Sequence, residues 1–228
     1  MSGTLYIVAT PIGNLADLSG RALATLRAAT LIACEDTRTS LNLLRHHGIE
    51  RPLVAYHEHN EQQFAPVLAG RVAAGETIAL ICDAGTPTLS DPGFRVVREC
   101  RRRGLAVVPV PGANAVVAAL SVSGLPTHAF RFAGFLAPRS AVRIRFLEGI
   151  RDATDTVALY ESCHRVGKLA EEIHATLGPA RVVCFARELT KLHETVLTGT
   201  IADVLPRLAG NNLRGEFVVL VAPAGFAL

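Results

Sequence analysis

The fold is decided by the stretch "TIALICDAGTPTLSDPGFRVV" (Thr77–Val97), in which a strand, a turn and a helix follow one another. The apolar run Thr77–Cys82 is typical of a strand covered on both faces. It is broken by "DAGTP" (Asp83–Pro87), which combines a carboxylate with residues that form turns. We expect the next helix to be capped by Asp91 and to begin at Pro92, where no backbone N–H is needed. The stretch therefore predicts a strand–loop–helix unit of an α/β protein.

The same alternation of apolar runs and helical patterns extends outward, which predicts an α/β fold with a mainly parallel sheet. A helix at about 113–122 changes the rhythm and indicates a domain boundary near residues 112–125, which gives domains 1–115 and 116–228. The last two strands flank a short helix, which suggests mixed or antiparallel pairing. The predicted strands are Leu5–Ala9, Leu31–Cys34, Leu53–Tyr56, Thr77–Cys82, Ala106–Pro109, Phe130–Gly134, Thr156–Tyr160, Arg181–Ala186, Glu194–Gly199 and Glu216–Val221.

Composition limits the class of protein. The 228 residues, half of them hydrophobic, are enough for one large or two small domains with proper cores. No apolar run reaches the roughly 18 residues of a membrane span, and the N-terminus lacks the basic region of a signal peptide. The five cysteines are scattered and form no CxxC pair. They indicate reduced core residues of a cytoplasmic protein rather than zinc ligands or disulfides.

The charge pattern does not by itself identify a nucleic-acid partner. The net charge is +3, and of the 23 basic residues only Lys168 and Lys191 are lysines. Arginine suits phosphate binding, but a bias in genome base composition is the favoured explanation of the same excess. The run Arg101–Arg103 before Gly104 fits the solvated, cationic end of a helix better than an RNA contact.

Clusters of glycine, proline or polar residues follow most of the predicted strands. Because parallel α/β sheets bind ligands beyond the carboxyl ends of their strands, the set indicates a ligand-binding cleft. The clusters are "TPIGNLAD" (Thr10–Asp17), "EDTRTS" (Glu35–Ser40), "HEHNE" (His57–Glu61), "DAGTP" (Asp83–Pro87), "PGANA" (Pro111–Ala115), "GFLAPR" (Gly134–Arg139), "YESCHR" (Tyr160–Arg165) and "RELTKLHE" (Arg187–Glu194).

The common cofactor motifs are absent from the sequence. No GxGxxG follows the first strand, and the only Gly-Lys pair, Gly167-Lys168, lacks the earlier glycine of a P-loop. No GxSxG nucleophile elbow is present. "HEHNE" offers His57, His59 and neighbouring carboxylates as metal ligands on a loop, but a polar helix start or a substrate contact is the favoured interpretation. We therefore expect no metal.

The motifs "TPIGNLAD", "EDTRTS", "HNE", "DAGTP…SDPG", "GLP…F…GFL", "YES.HR" and "ARELTK.HE", in this order, resemble those of the bacterial 16S rRNA (cytidine-2′-O)-methyltransferase family. That family belongs to the tetrapyrrole methylase superfamily, which comprises class III enzymes dependent on S-adenosylmethionine (SAM). The resemblance covers essentially the whole chain. It implies two α/β domains, the first mostly parallel and the second mixed, with SAM in the cleft between them, and a homodimer. It also implies methylation of a cytidine 2′-hydroxyl in the decoding region of 16S rRNA, either free or in the small ribosomal subunit.

The resemblance also implies which residues form the SAM pocket. Gly85 lets the backbone approach a ligand that a side chain would keep away. The Asp83 carboxylate and nearby backbone carbonyls favour a cationic sulfonium and an amino group. The alternative is that "DAGTP" is only a turn. The implied pocket residues are Pro11, Gly13, Asp83, Ala84, Gly85, Thr86, Pro87, Pro111, Gly112, Ala113 and Tyr160.

Methyl transfer to a ribose hydroxyl needs alignment and a proton acceptor. The candidate acceptors are Glu35, Asp36 and Glu161, the carboxylates at strand ends. Asp36 has a competing role as the N-cap of a helix that begins near Thr37. Glu161 has one as a buried acceptor for a ligand or for His164. The candidate RNA contacts, with surface charge as the alternative for the cations, are Arg38, His59, Asn60, Arg165 and Lys191. Arg187 and Glu188 are expected to pair with each other.

The sequence departs from the family pattern in places. Ala113 stands where a second proline is usual, and Cys163 follows "YES" in place of proline. Many members carry a small helical extension after their last strand, and we expect this chain either to be shortened or to bind RNA more weakly without it. Two other functions stay open. One is a SAM-dependent methyltransferase for a small molecule such as a tetrapyrrole, and the other is a non-catalytic module that binds SAM and RNA.

Overall fold

The computed structural model describes residues 2–228, which divide into two compact units. The first unit ends at Asn114 and the second spans Ala115–Leu228. The boundary lies one residue from the position expected from the sequence. All ten predicted strands occur, each with its ends within two residues of the predicted ones.

The first unit is built on one five-stranded sheet. Its strands are β1 (Thr4–Val8), β2 (Leu31–Cys34), β3 (Leu53–Ala55), β4 (Thr77–Leu80) and β5 (Ala106–Val110). Its helices are α1 (Gly20–Ala28), α2 (Thr37–His46), α3 (Glu61–Ala73) and α4 (Phe94–Arg102). The strand order is β3-β2-β4-β1-β5 and every neighbouring pair is parallel, so the predicted α/β fold with a parallel sheet is confirmed.

Helices cover both faces of this sheet, which explains why its strands are apolar almost throughout. β2 is buried at all four of its positions. On one face, α3 and α4 contribute Leu68 and Val96 to the core. On the other face, α1 and α2 contribute Leu26 and Leu44, which share a cluster with Ile32 of β2. Burying each of these leucines contributes about 1.5–3 kcal/mol, so both helix layers hold the sheet in place.

Side-chain caps and a glycine set several helix ends. Asp36 caps α2 by accepting a hydrogen bond from the backbone N–H of Arg38, so the predicted capping role of Asp36 is confirmed. At the end of α4, Gly104 has a φ of +65° and donates to the carbonyl of Arg101. Leu105 donates to the carbonyl of Cys100, which completes a Schellman motif. The arginine run therefore lies at a helix end, as predicted.

The start of α4 differs from the prediction. The helix begins at Phe94, and the N-cap is Gly93 with a φ of +138°, so the prediction that Asp91 caps the helix is wrong. Thr88 and Ser90 also have positive φ values, of +79° and +63°. These residues turn the loop back, and the Asp91 carboxylate lies beside the Cys82 thiol instead of capping the helix.

The second unit contains a mixed sheet, as predicted. Its strands are β6 (Phe130–Phe135), β7 (Thr156–Ser162), β8 (Val182–Arg187), β9 (Thr195–Thr200) and β10 (Glu216–Val221). Its helices are α5 (Ala115–Ser123), α6 (Ser140–Gly149), α7 (Val166–Leu177) and α8 (Ile201–Val204). The order is β6-β7-β10-β8-β9, with β6 and β7 parallel and the other pairs antiparallel. The last two strands are not neighbours, because β8 lies between them.

The five cysteines are free thiols, four of them buried and Cys163 half-buried. They pack in the cores, as the sequence predicts, and Cys100 on the buried face of α4 is an example. Within residues 2–228, no helix combines the length and the apolar character required to cross a membrane.

Candidate functional site

The loops after β1, β2, β4 and β5 meet at the carboxyl edge of the first sheet, because these strands are neighbours in the order β2-β4-β1-β5. Thr10 and Gly85 bind each other through both backbone groups, with N···O distances of 2.8 and 3.1 Å. The Thr10 hydroxyl, which is buried, donates to the carbonyl of Cys82 at 3.1 Å. The "DAGTP" loop is therefore fastened to the loop that follows the first strand.

The "DAGTP" loop is also bound to the loop that follows the fifth strand. The Thr86 hydroxyl donates to the carbonyl of Ala113 at 3.1 Å. Gly85 lies between these contacts with a φ of +83°, and a Cβ there would lie 3.3 Å from Cγ2 of Ile12. The structure thus brings together three of the predicted loops, which contain the candidate residues Pro11, Gly13, Asp83, Ala84, Gly85, Thr86, Pro87, Pro111, Gly112 and Ala113.

Three carboxylates with raised pKa values lie at the same edge. Burial raises the pKa of Glu35, and the Asp83 carboxylate raises it further. Burial raises the pKa of Asp83 as well. Burial, together with the Glu35 charge, raises the pKa of Asp91 to about 6. Because mutual repulsion and desolvation both disfavour the ionised forms, a cation that bound here would relieve the repulsion.

Asp36 has a different environment. Its carboxylate accepts hydrogen bonds from the Arg38 guanidinium at 2.8 and 3.2 Å, as well as from the Arg38 backbone. These bonds lower the pKa of Asp36 to about 2. A carboxylate held in its ionised form so firmly is a weak proton acceptor at neutral pH. The Arg38 side chain stays exposed and forms an ion pair with Asp36.

Asp91 is a residue of this edge that sequence reasoning missed. The dipeptide Asp91-Pro92 is typical of a helix start, and that local pattern concealed the long turn that brings the carboxylate to Cys82. The contact depends on the positive φ values of Thr88 and Ser90, which propensity does not predict for such residues. The only sequence signal of an irregular helix start is Gly93, which directly precedes the helix.

We expect Asp91→Asn to raise the free energy of unfolding at pH 8 by about 1–2 kcal/mol, a figure reduced for partial exposure. The pKa of Asp91 rises from 3.8 to about 6 on folding. Between these two pH values the folded state retains a proton that the unfolded chain releases. The stability due to the protonated carboxyl is complete below the unfolded pKa and is lost as the pH rises through 6. Urea unfolding at several pH values measures the difference, which should shrink toward zero near the unfolded pKa.

Asp155→Asn is the control for this measurement. Hydrogen bonds from Arg131 lower the pKa of Asp155, so its replacement should reduce stability at pH 8, with the opposite sign. Equal stabilities of the Asp91→Asn protein and the wild type across the whole pH range would contradict the raised pKa of Asp91.

The loop after β3 supports the helix-start interpretation of "HEHNE". The Asn60 carboxamide accepts from the backbone N–H of His57 at 2.9 Å and donates to the carbonyl of Ala55 at 2.9 Å. His59 is exposed, with its ring edge-on to His57. Among residues 2–228, no group of three or more His, Cys, Asp or Glu side chains is arranged to hold a metal ion.

In the second unit, Glu161 is buried and pairs with Arg165, not with His164 as one interpretation predicted. Its Oε1 accepts from the Arg165 guanidinium at 2.8 Å and from the backbone N–H of Ser162 at 2.7 Å. Its Oε2 is buried and has no hydrogen-bond partner within residues 2–228. An unsatisfied buried carboxylate oxygen is costly, so it offers a free acceptor for a ligand donor.

The remaining candidates of the second unit lie at the same strand ends. The Tyr160 ring contacts two phenylalanine rings. Lys191 forms ion pairs with Glu188 and Glu216 at 2.9 and 2.8 Å, which neutralise its charge. The expected pairing of Arg187 with Glu188 is wrong, because the Arg187 guanidinium donates to backbone carbonyls such as that of His193, at 2.8 Å.

Comparison with known proteins adds a family and several relatives. The family described as "Tetrapyrrole (Corrin/Porphyrin) Methylases" matches residues 4–205. The chain is 49% identical to "Ribosomal RNA small subunit methyltransferase I" of Xylella fastidiosa, over 97% of this chain and 82% of that protein. It is 47% identical to the protein of the same name from Escherichia coli O157:H7, over 96% of this chain and 77% of that protein.

Solved structures with similar folds have much lower identity and therefore bear on the fold alone. Diphthine synthase matches with a TM-score of 0.73 at 14% identity, over 97% of this chain and 90% of that one. The methyltransferase CobJ matches with a TM-score of 0.71 at 18% identity, over 100% of this chain and 97% of that one.

Proposed function

This chain belongs to the ribosomal RNA small subunit methyltransferase I family of the tetrapyrrole methylases, and from that membership we propose that it methylates the 2′-hydroxyl of a cytidine in 16S rRNA. The observation that carries the proposal is the 49% identity over 97% of the chain. SAM is the proposed methyl donor, and 16S rRNA or the small ribosomal subunit is the proposed substrate. No metal is required by this chemistry.

The carboxyl edge of the first sheet fits SAM in two respects. The carboxylates Glu35, Asp83 and Asp91 have raised pKa values, so a bound sulfonium and an ammonium group would be stabilised there. Gly85 leaves open the space that any Cβ would fill next to Ile12 and the carbonyl of Ala113. SAM supplies a methyl group already activated by the positive sulfur. The chain's own residues hold the donor and align the hydroxyl.

Glu35 is the carboxylate that we assign as the proton acceptor. The pKa of Glu35 is raised toward neutral pH, whereas hydrogen bonds from Arg38 lower the pKa of Asp36. Glu35 is therefore the better proton acceptor of the two. Glu161, with its free Oε2, is the third candidate and is better placed to accept a hydrogen bond than to exchange a proton with solvent, because it is buried.

We expect Glu35→Gln to slow methyl transfer by about a hundredfold, the lower end of general-base contributions. SAM affinity should change by only a few-fold, because two other carboxylates remain. Single-turnover rates with labelled SAM measure the first quantity and calorimetry the second. The assignment fails if the rate is unchanged.

Among the proposed RNA contacts, Arg38 is exposed at the edge of the first sheet, close to the carboxylates. His59 is exposed in the loop after β3, and Asn60 fixes that loop. Arg165 is partly exposed, whereas Lys191 is neutralised by its two glutamates and is the weakest candidate. We also propose a homodimer, as the family resemblance implies. We propose a cytoplasmic location because the rRNA substrate is made in the cytoplasm.

Methylation of a small molecule is the second candidate, and it is favoured only by the description of the matching family as tetrapyrrole methylases. The polar and basic groups at the strand ends, Arg38 and Arg165 among them, suit a ribose phosphate better than a macrocycle. A non-catalytic module that binds SAM and RNA is the third candidate, and it predicts binding without turnover.

The deciding experiment incubates the protein with methyl-labelled SAM and small ribosomal subunits that lack the modification, followed by mapping of the label. Label on a cytidine ribose is the expected result. Parallel reactions use deproteinised 16S rRNA and a tetrapyrrole substrate. Label on the tetrapyrrole alone would favour the second candidate, and SAM binding with no label on any substrate would favour the third.

A further inference from the structure

One aromatic ring of the second unit is held rigidly and is still open to solvent. Phe132 and Phe135 of β6 both contact Tyr160 of β7, with ring centroids 4.9 and 5.5 Å apart. Phe135, the outermost of the three, is 57% exposed. The sequence assigned no individual role to Phe135. A fixed, exposed aromatic ring at the end of a strand is a feature of binding surfaces.

A bulge in β6 creates this arrangement. Residues three apart in a regular strand point to opposite faces of the sheet. Here the register shifts between Phe132 and Gly134, so that Phe132 aligns with Ala158 and Phe135 with Tyr160. Both phenylalanines therefore lie on the same face as Tyr160. The shift coincides with a φ of +66° at Gly134, a conformation that glycine adopts without strain.

Two guanidinium groups fix the loop that follows the ring. Arg165 donates to the carbonyl of Leu136 at 3.2 Å, and Arg143 donates to the carbonyl of Pro138 at 2.6 Å. Each guanidinium is itself held by a glutamate, and both of these glutamates are buried. The structure therefore fixes the positions of the ring at one end of the loop and of residue 139 at the other.

Arg139 brings positive charge to the same loop. It is exposed, and within residues 2–228 its guanidinium forms neither an ion pair nor a hydrogen bond. Glu161 and Glu172, the two buried acids of this region, are already paired with Arg165 and Arg143. The exposed part of this region thus combines a flat aromatic surface with an unpaired cation four residues further along the chain.

We propose that Phe135 is a stacking site for one unpaired base of a single-stranded RNA segment, with Arg139 bound to a phosphate of the same segment. Every base has a π-face that stacks on an aromatic ring, and each nucleotide brings a phosphate that an arginine binds. The inference rests on the proposed function and deepens it, because it names a place where the rRNA substrate is held. A purely apolar partner would leave the Arg139 charge without a counterpart.

The test replaces the flat ring while keeping an apolar side chain. Phe135→Leu should weaken binding of a single-stranded oligoribonucleotide by about five- to a hundredfold, the loss expected when one base–aromatic stack is removed. Phe135→Trp should retain or increase the affinity. Phe130→Leu is the matched control, since Phe130 is also exposed but lies at the opposite end of the same strand. It should leave the affinity unchanged.

Arg139→Ala separates the two parts of the site. It should reduce the salt dependence of RNA binding, lowering the slope of log K against log salt by about 0.7, the value of one single-strand phosphate contact. Phe135→Leu should leave that slope unchanged, because stacking releases no counterions. A slope that changes with the leucine variant and not with the alanine variant would overturn the assignment.

The outcomes also separate this inference from the proposed function. If wild-type protein methylates small subunits and Phe135→Leu binds RNA as tightly as wild type, the stacking site is wrong and the function stands. If no substrate RNA is methylated although Phe135→Leu weakens RNA binding, the stacking site stands and the function fails. Analytical ultracentrifugation completes the test, because a dimer that dissociates on Phe135→Leu would identify the ring as a contact between two copies and overturn the inference.

Discussion

Gly85→Val should abolish SAM binding, with a loss of affinity of about a thousandfold or more, which corresponds to about 4 kcal/mol. A Cβ at this position would lie 3.3 Å from Cγ2 of Ile12, and the two methyl groups of valine would extend further into the space that the loop leaves open. The φ of +83° adds strain of about 1–2 kcal/mol for a residue with a side chain. Isothermal titration calorimetry with SAM measures the effect.

Gly48→Val provides the matched control. Gly48 also has a positive φ, of +61°, and a Cβ there would meet no atom within 4 Å. It follows the C-terminus of α2 and is not part of the loops at the carboxyl ends of the strands. The control should lose a similar amount of stability and keep its SAM affinity. Unchanged SAM affinity in the Gly85→Val protein would remove the "DAGTP" loop from the cofactor site.

Glu172→Ala should lower the free energy of unfolding of the second unit by about 3–5 kcal/mol, the usual result of leaving one member of a buried ion pair alone. Arg143 and Glu172 have side chains that are 5% and 4% exposed, and two hydrogen bonds of 2.8 Å join them. The Ser140 hydroxyl donates to the same carboxylate at 2.5 Å. Urea denaturation with a probe in the second unit measures the change.

Glu171→Ala tests whether burial is the cause. Glu171 precedes Glu172 in α7 and forms an exposed pair with Lys168 at 2.9 Å, so its removal should change stability by less than about 1 kcal/mol. Replacing both Arg143 and Glu172 by methionine should recover most of the loss, since a buried pair is often replaceable by apolar side chains. Equal effects of the two alanine substitutions would show that the buried pair is no more important than the exposed one.

The sequence predicts the first unit well because its signals are local. The apolar run before Asp83 is buried on both faces, and a strand of that kind has few alternatives. Asp36 caps its helix because the carboxylate needs only the next turn to find its donor. Both predictions depend on contacts between residues close together in the chain.

The wrong or missing predictions concern contacts that the local sequence pattern does not determine. The pattern Asp91-Pro92 predicts a helix cap. The structure instead places the Asp91 carboxylate beside Cys82, through a turn that requires a positive φ at Thr88. The insertion of β10 between β7 and β8 joins residues far apart in sequence, such as Val219 and Leu159. Local propensity carries no information about such contacts, so the site's most perturbed carboxylate and the order of the second sheet both required the structure.

The order of the first sheet has a consequence for synthesis of the chain. β1 leaves the ribosome before either of its two neighbours, β4 and β5, which end at Leu80 and Val110. At about 5–20 residues per second, β4 is complete roughly 4–14 s after β1, and β5 roughly 5–20 s after β1. Until β4 is made, an apolar strand that will be paired on both sides has both of its hydrogen-bonding edges open, and one edge stays open until β5 follows. A newly made chain therefore passes through a state that chaperones recognise, and the second unit begins to emerge just as that state ends.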